Sequence, residues 1–169
     1  DRLMGNDTIA GGNGADSTVF ALKHHDDGTG ARLYAGGQMK SAGQAPVNGI
    51  ARFDGQTWSM VGSPLTYIPG ATPQLPAVFA MATYGSGPNP PLWIGGRFAL
   101  SGSATSRSLT FLSGSSWVQG IQLTVPTGQP EVYALRVWDD GNGPALYIGG
   151  RFSSINGVNG GDSTPLWKK

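Results

Sequence analysis

The sequence contains no cysteine. That absence excludes a disulfide framework, a thiolate metal site and a cysteine nucleophile together. Histidine is almost missing as well: His24 and His25 are the only two, and as neighbours in an extended strand they point to opposite faces of a sheet. A metal centre or a Ser-His-Asp triad is therefore not expected. Charge is sparse and balanced, with 11 basic against 10 acidic residues and a net charge of +1, which gives no electrostatic reason to expect a nucleic-acid partner or an anionic membrane surface. Long apolar runs are lacking too. No window approaches the roughly 18 apolar residues that span a bilayer, and no signal peptide stands at the start. No cofactor is expected.

Glycine and proline are abundant instead, 28 and 12 of 169 residues. Such a level suggests disorder when apolar residues are scattered. Here short apolar runs recur between clusters of Gly, Asn, Asp and Ser, as in many short strands joined by tight turns. Apolar spacing of i, i+3, i+4, i+7 is not sustained over a helix length, so an all-β chain is predicted.

The chain matches itself three times. Val19-Phe20-Ala21-Leu22, Val78-Phe79-Ala80-Met81 and Val132-Tyr133-Ala134-Leu135 begin 59 and 54 residues apart. Each is followed 14 residues later by a second match: Leu33-Tyr34-Ala35-Gly36-Gly37, Leu92-Trp93-Ile94-Gly95-Gly96 and Leu146-Tyr147-Ile148-Gly149-Gly150. Each copy reads as four strands, a to d. Strands a and b are these two runs, joined by Asp26-Asp27-Gly28-Thr29-Gly30 in the first copy and Asp139-Asp140-Gly141-Asn142-Gly143 in the third, turn chemistry that supplies positive φ. Strand c is Ile50-Ala51-Arg52-Phe53, then Leu109-Thr110-Phe111-Leu112 and, less cleanly, Thr164-Pro165-Leu166-Trp167. Strand d opens on Trp58 and Trp117.

A Gly-Gly pair ending an apolar strand is expected where a neighbouring backbone comes too close for a Cβ, or where the chain takes a positive φ as it leaves the sheet. The aromatics two residues before it (Tyr34, Trp93, Tyr147) and the Trp residues that open strand d are large enough to fill the gap between stacked sheets.

A hydrophobic strand a, a strand b ending in Gly-Gly and a Trp opening strand d 21 residues later resemble the kelch repeat of galactose-oxidase-like β-propellers. The stretch from Leu33 to Gly62 is more similar still to repeats of large, secreted bacterial propeller proteins of uncharacterised function. The resemblance covers nearly the whole chain and implies three four-stranded kelch-like blades within residues 1–169, starting near 19, 78 and 132. It implies strand a lining a central channel and strand d at the rim. The copper site of galactose oxidase includes a Tyr-Cys crosslink, which a chain without cysteine cannot make.

The third copy stops after strand c. Arg2-Leu3-Met4-Gly5 match the end of strand d, Met60-Val61-Gly62. Propellers close with 4 to 8 blades, so three are too few for a ring. The expectation is a six-bladed homodimer in which residues 1–6 of each copy complete the last blade of the other. The competing expectation is an excised or engineered part of a longer chain, consistent with a first residue that is Asp1 rather than Met. A surface rich in Gly, Ser, Thr and Asn points to an extracellular, secreted setting.

Three polar residues follow the double glycines: Gln38, Arg97 and Arg151. They are predicted to leave strand b towards the face of the b-to-c loops (41–48, 101–108, 153–163), which differ in each copy as a recognition surface does. The structural alternative is that both arginines cover the rim or pair with backbone carbonyls. The Asp26-Asp27 and Asp139-Asp140 pairs are read as turn residues rather than calcium ligands. With no convergent acid, base and nucleophile, the leading reading is a non-catalytic module for protein or glycan binding, or for structural assembly. The alternative is a galactose-oxidase-like or glycosidase-like propeller enzyme, which would need two carboxylates within about 10 Å at the channel mouth.

Overall fold

In the computed structural model of the protein, residues 14–67, 75–101, 107–119 and 121–156 are described. They are all β, without a helix among them. The first repeat contains β1 (Val19–Asp26), β2 (Ala31–Gly37), β3 (Ser41–Ala42), β4 (Ala45–Pro46), β5 (Ile50–Phe53) and β6 (Trp58–Met60). The second contains β7 (Leu65–Thr66), β8 (Ala77–Thr83), β9 (Leu92–Leu100), β10 (Arg107–Ser113) and β11 (Ser116–Trp117). The third contains β12 (Gln122–Thr124), β13 (Glu131–Asp139), β14 (Pro144–Arg151) and β15 (Ser154–Asn156).

Predicted strands a, b, c and d of the first repeat form one antiparallel sheet in the order β1-β2-β5-β6. The second repeat has the same arrangement: β8 pairs β9, β9 pairs β10 and β10 pairs β11. In the third, β13 pairs β14; its predicted strand c, like the strand expected at residues 1–6, lies outside the described residues.

One pairing was not predicted. The segment ahead of each strand a pairs with the chain just beyond the double glycine. Leu65 and Thr66 pair with Leu100 and Ala99, β12 pairs with β15, and Ala15 bridges Ala42. The second strand b therefore runs on past its Gly-Gly pair to Leu100.

The a-to-b turns are closed by their first aspartates, as read from the sequence. Asp26 Oδ1 accepts hydrogen bonds from the amides of Gly28 (2.8 Å) and Gly30 (3.0 Å), and Asp139 Oδ1 does the same for Gly141 (2.8 Å) and Gly143 (3.0 Å). All four glycines have positive φ.

The double glycines work differently. None of the six has a positive φ; close approach explains five of them, Gly149 excepted, and the members of a pair meet different neighbours. A Cβ on the first glycine would meet the next unit, 2.7 Å from Val78 Cγ1 at Gly36 and 2.4 Å from Val132 Cγ1 at Gly95. A Cβ on the second would strike the carbonyl ahead of its own strand a: Thr18 O at 2.1 Å from Gly37, Ala77 O at 2.0 Å from Gly96, and Glu131 O at 2.2 Å from Gly150.

That second contact arises because each strand a carries a β-bulge at one place. The register shifts between Val19 and Ala21, between Val78 and Ala80, and between Val132 and Ala134. Phe20, Phe79 and Tyr133 are the extra residues. A bulge leaves its extra residue without a cross-strand partner and re-aims the side chain.

Two of the three core clusters lie between units, and the third, with Ala35, Met39 and Val47, lies within the first. One cluster joins Tyr34, Ile50 and Val61 of the first unit to Leu65, Val78, Ile94, Phe98 and Trp117 of the second. Another joins Trp93 and Leu109 of the second to Val132, Leu146 and Ile148 of the third. Tyr34 and Trp93 fill these gaps as predicted, both buried. Trp117 does so too, donating from Nε1 to Ser63 O across the units at 2.9 Å. Trp58 instead tilts against Phe53 of its own unit, with ring centroids 4.9 Å apart.

Candidate functional site

The three bulged aromatics form a row across the strands a. Phe20 meets Phe79 edge-on with centroids 5.2 Å apart, and Phe79 meets Tyr133 at 5.8 Å. Offset and edge-to-face pairs at such distances are the favoured aromatic geometries. Phe20 and Tyr133 are about half exposed, at 47% and 52%. They are large apolar surfaces held open to solvent by backbone geometry.

Two of the predicted polar residues stand beside this row. The Arg97 guanidinium lies over the Phe79 ring, 5.8 Å from its centroid, within cation–π range. Its Nη1 is 3.7 Å from Glu131 Oε1, and Arg151 Nη2 lies 3.9 Å from the same oxygen. The other carboxylate oxygen, Glu131 Oε2, accepts from the Tyr133 hydroxyl. This bond holds the Tyr133 phenol above its ordinary pKa. Arg151 also donates to Gln129 O at 2.6 Å, so the predicted pairing with a backbone carbonyl is present for one arginine. Both distances to Glu131 exceed a hydrogen bond. The two guanidiniums thus share one carboxylate loosely, and the group carries a net charge of +1.

The positions of the predicted residues differ in detail. Arg97 is not at a strand end: it sits inside β9, because pairing with β7 extends that strand to Leu100. Arg151 is the last residue of β14. Gln38 follows β2 and donates its amide to Thr18 O at 2.9 Å; its side chain makes no hydrogen bond among the described residues. The structure brings Arg97 and Arg151 together at Glu131. Sequence reasoning missed Glu131 and the aromatic row, although an aromatic in second position of all three strands a was the available signal.

A polar cluster lies around the opposite, turn end of the first sheet. Asp27 Oδ2 accepts from Arg52 Nη1 at 2.8 Å and from Tyr34 Oη at 3.1 Å. Asp27 Oδ1 accepts from the Thr29 amide and hydroxyl. Burial pushes the Asp27 carboxyl up, but Thr29, Tyr34 and Arg52 outweigh it and bring the carboxyl from 3.8 down to about 2. Burial, with the Asp27 charge, raises Tyr34 to about 12. His25 is buried against Tyr34, 5.5 Å between centroids, with Nδ1 3.3 Å from Thr83 Oγ1. Burial lowers its pKa, against the pull of Asp27. His24 is exposed, so the two histidines do point to opposite faces.

This cluster fastens a turn to two strands and the next unit. A cavity of about 120 Å³ beside it, bounded by His25, Asp27, Asn89 and Gly114, is too small for more than a few waters. Because Asp27 titrates lower in the folded than in the unfolded chain, its contribution to stability is complete above pH 4 and lost as pH falls from 4 towards 2. With the side chain only 10% exposed, that contribution is on the order of 2 kcal/mol. Urea unfolding at pH 6 and pH 2.5 is expected to show a larger loss for the parent than for Asp27→Asn; equal losses would exclude Asp27 as the source.

Among the described residues no three His, Asp or Glu side chains converge as metal ligands. Compared with models of protein families, with curated proteins and with solved structures, the chain matches none.

Proposed function

We propose that the three units are consecutive β-propeller blades and that the protein is a non-catalytic extracellular module that binds an acidic glycan across Phe20, Phe79 and Tyr133. The observation that carries this reading is the exposed aromatic row flanked by two guanidiniums that share one carboxylate. Aromatic faces at bulges offer flat apolar surface to the C–H faces of sugar rings. Arg97 and Arg151, held beyond hydrogen-bond distance of Glu131, retain donors for a ligand carboxylate, which a guanidinium binds with paired hydrogen bonds. The blade reading is supported by the repeated a-b-c-d sheet order and by cores lying between units.

Glu131 is the single carboxylate among the residues of this platform. A glycosidase needs a second one opposite it, so binding without turnover is the favoured outcome. The test is calorimetric titration with oligogalacturonate, using a neutral xylo-oligosaccharide as comparison. The acidic oligomer is expected to bind the parent, and the double substitution Arg97→Ala, Arg151→Ala to weaken it by tenfold or more, about 1.4 kcal/mol, without changing the β-sheet circular dichroism. Equal binding by parent and variant would remove the arginines from the site, and release of shorter sugars would make the protein an enzyme.

A further inference from the structure

A strained, buried serine lies beside the charged site. Ser108 has φ +65 at 0% exposure, although the left-handed region is costly for a residue that carries a Cβ. It is the residue skipped where the register of β10 shifts against β9, between Arg107 and Leu109. The same place in the first unit, ahead of Ile50, holds Gly49 at φ +93, a conformation that glycine adopts without that cost. A Cβ on Gly49 would lie 3.5 Å from Pro76 O. Ser108 has the side chain that Gly49 lacks, and its Oγ donates at 2.7 Å to the oxygen of Pro130, the counterpart of Pro76 one residue ahead of the next strand a.

Pro130 precedes Glu131, and the residue before it is tied as well. Gln129 Oε1 accepts from Arg107 Nη1 at 3.4 Å, and Gln129 O accepts from Arg151 Nη2 at 2.6 Å. Residues 129–131 are thus fastened to β10 of the second unit and β14 of the third. From this base the Glu131 carboxylate stops short of both arginines, 3.7 Å from Arg97 Nη1 and 3.9 Å from Arg151 Nη2, while its other oxygen takes the Tyr133 hydroxyl. A carboxylate between two guanidiniums is ordinarily drawn into hydrogen bonds of about 2.8 Å. Here it is not, and Arg97 Nε is left buried with no hydrogen-bond partner among the described residues.

We propose that Ser108 is a positioning residue: through Pro130 it holds the Glu131 carboxylate off Arg97 and Arg151, so that Glu131 balances their charge without occupying the donors that a ligand carboxylate takes, a step that rests on the acidic-glycan reading. Glycine fits this backbone better but has no hydroxyl with which to hold Pro130, so the strain at Ser108 goes with the hydrogen bond it makes. A ligand carboxylate bonded to the Nε side of Arg97 also satisfies the buried donor that Glu131 leaves unpaired.

Ser108→Gly removes the hydroxyl and installs a residue that the first unit already carries at this place. In calorimetric titration with oligogalacturonate it is expected to bind roughly threefold or more weaker than the parent, because Glu131 closes on the arginines and competes with the ligand. Glu131→Gln keeps an acceptor for Tyr133 and removes the competing charge. It is expected to bind more tightly than the parent, and adding Ser108→Gly to it is expected to change the affinity no further. A merely structural serine would lower the melting temperature and leave the affinity unchanged, or weaken binding equally with Glu131 and with Gln; either result overturns the proposal, as does a Glu131→Gln variant that binds more weakly than the parent. A second measurement needs no ligand. The Tyr133 phenol, isolated in an alkaline absorbance titration by difference from Tyr133→Phe, is expected to titrate lower in Ser108→Gly than in the parent, since Glu131 leaves it for the arginines. An unchanged phenol titration overturns the proposal. A parent that binds no oligogalacturonate removes the glycan reading instead, and the phenol titration then decides whether Ser108 positions Glu131.

Discussion

A Gly96→Ala variant is expected to lose at least 3 kcal/mol of stability, seen as a melting temperature lower by roughly 10 °C or more. One methyl group suffices because its neighbours cannot move aside. The new Cβ would stand 2.0 Å from Ala77 O and 2.9 Å from Val78 Cα, both backbone atoms of the paired strand. Relief requires removing the bulge at Phe79. Doing so shifts β8 by one residue, and a one-residue shift sends every later side chain to the opposite face. Gly55→Ala is the control: its glycine has φ +102 with no atom within 4 Å of the added carbon, so only a conformational cost of about 1 kcal/mol applies. Equal melting temperatures for the two variants would show that the bulge is not fixed by the glycine.

Trp117→Ala is expected to cost about 3 to 5 kcal/mol in denaturant unfolding. The indole is 9% exposed, belongs to the cluster joining the first two units, and donates to Ser63 O. It also occupies the space in front of Gly62, where a Cβ would lie 2.6 Å from Nε1. Truncation leaves a cavity between units and a carbonyl without its donor. Trp117→Phe restores most of the volume and should cost about 1 to 2 kcal/mol, the share of the lost hydrogen bond. A smaller loss for Trp117→Ala than for Trp58→Ala would place the cohesion of the units elsewhere, since Trp58 is half-buried and stacks within its own sheet.

The repeat, the strand order within a unit and the Asp-Gly turns were legible in the sequence because each is local and occurs more than once. Val19, Val78 and Val132 announce equivalent strands, and Asp26 and Asp139 announce equivalent turns. The reason for the double glycines was half legible. Close approach was one of two readings, but that Gly36 faces another unit while Gly37 faces its own strand depends on register, which composition does not encode. The bulge was hidden for the same reason: Phe20, Phe79 and Tyr133 look like ordinary alternating core positions until the pairing skips them.

The site shows the same division. Arg97 and Arg151 were found by following the glycines, and their common partner was missed because Glu131 has Thr18 and Ala77 at its equivalent positions. Repetition reveals only what is repeated. Gly149 looked as constrained as Gly95, yet among the described residues no following valine meets it.

The bulge separates two demands that most strands must satisfy at once. Elsewhere on a sheet, a residue that meets a ligand also has a cross-strand partner, so changing one disturbs the other. Here the residue that faces outward is the one the pairing omits, and the glycine opposite it keeps the omission in place. Positions 20, 79 and 133 therefore behave as interchangeable slots on a fixed frame. New recognition chemistry can enter there one unit at a time, leaving the register of every strand as it was.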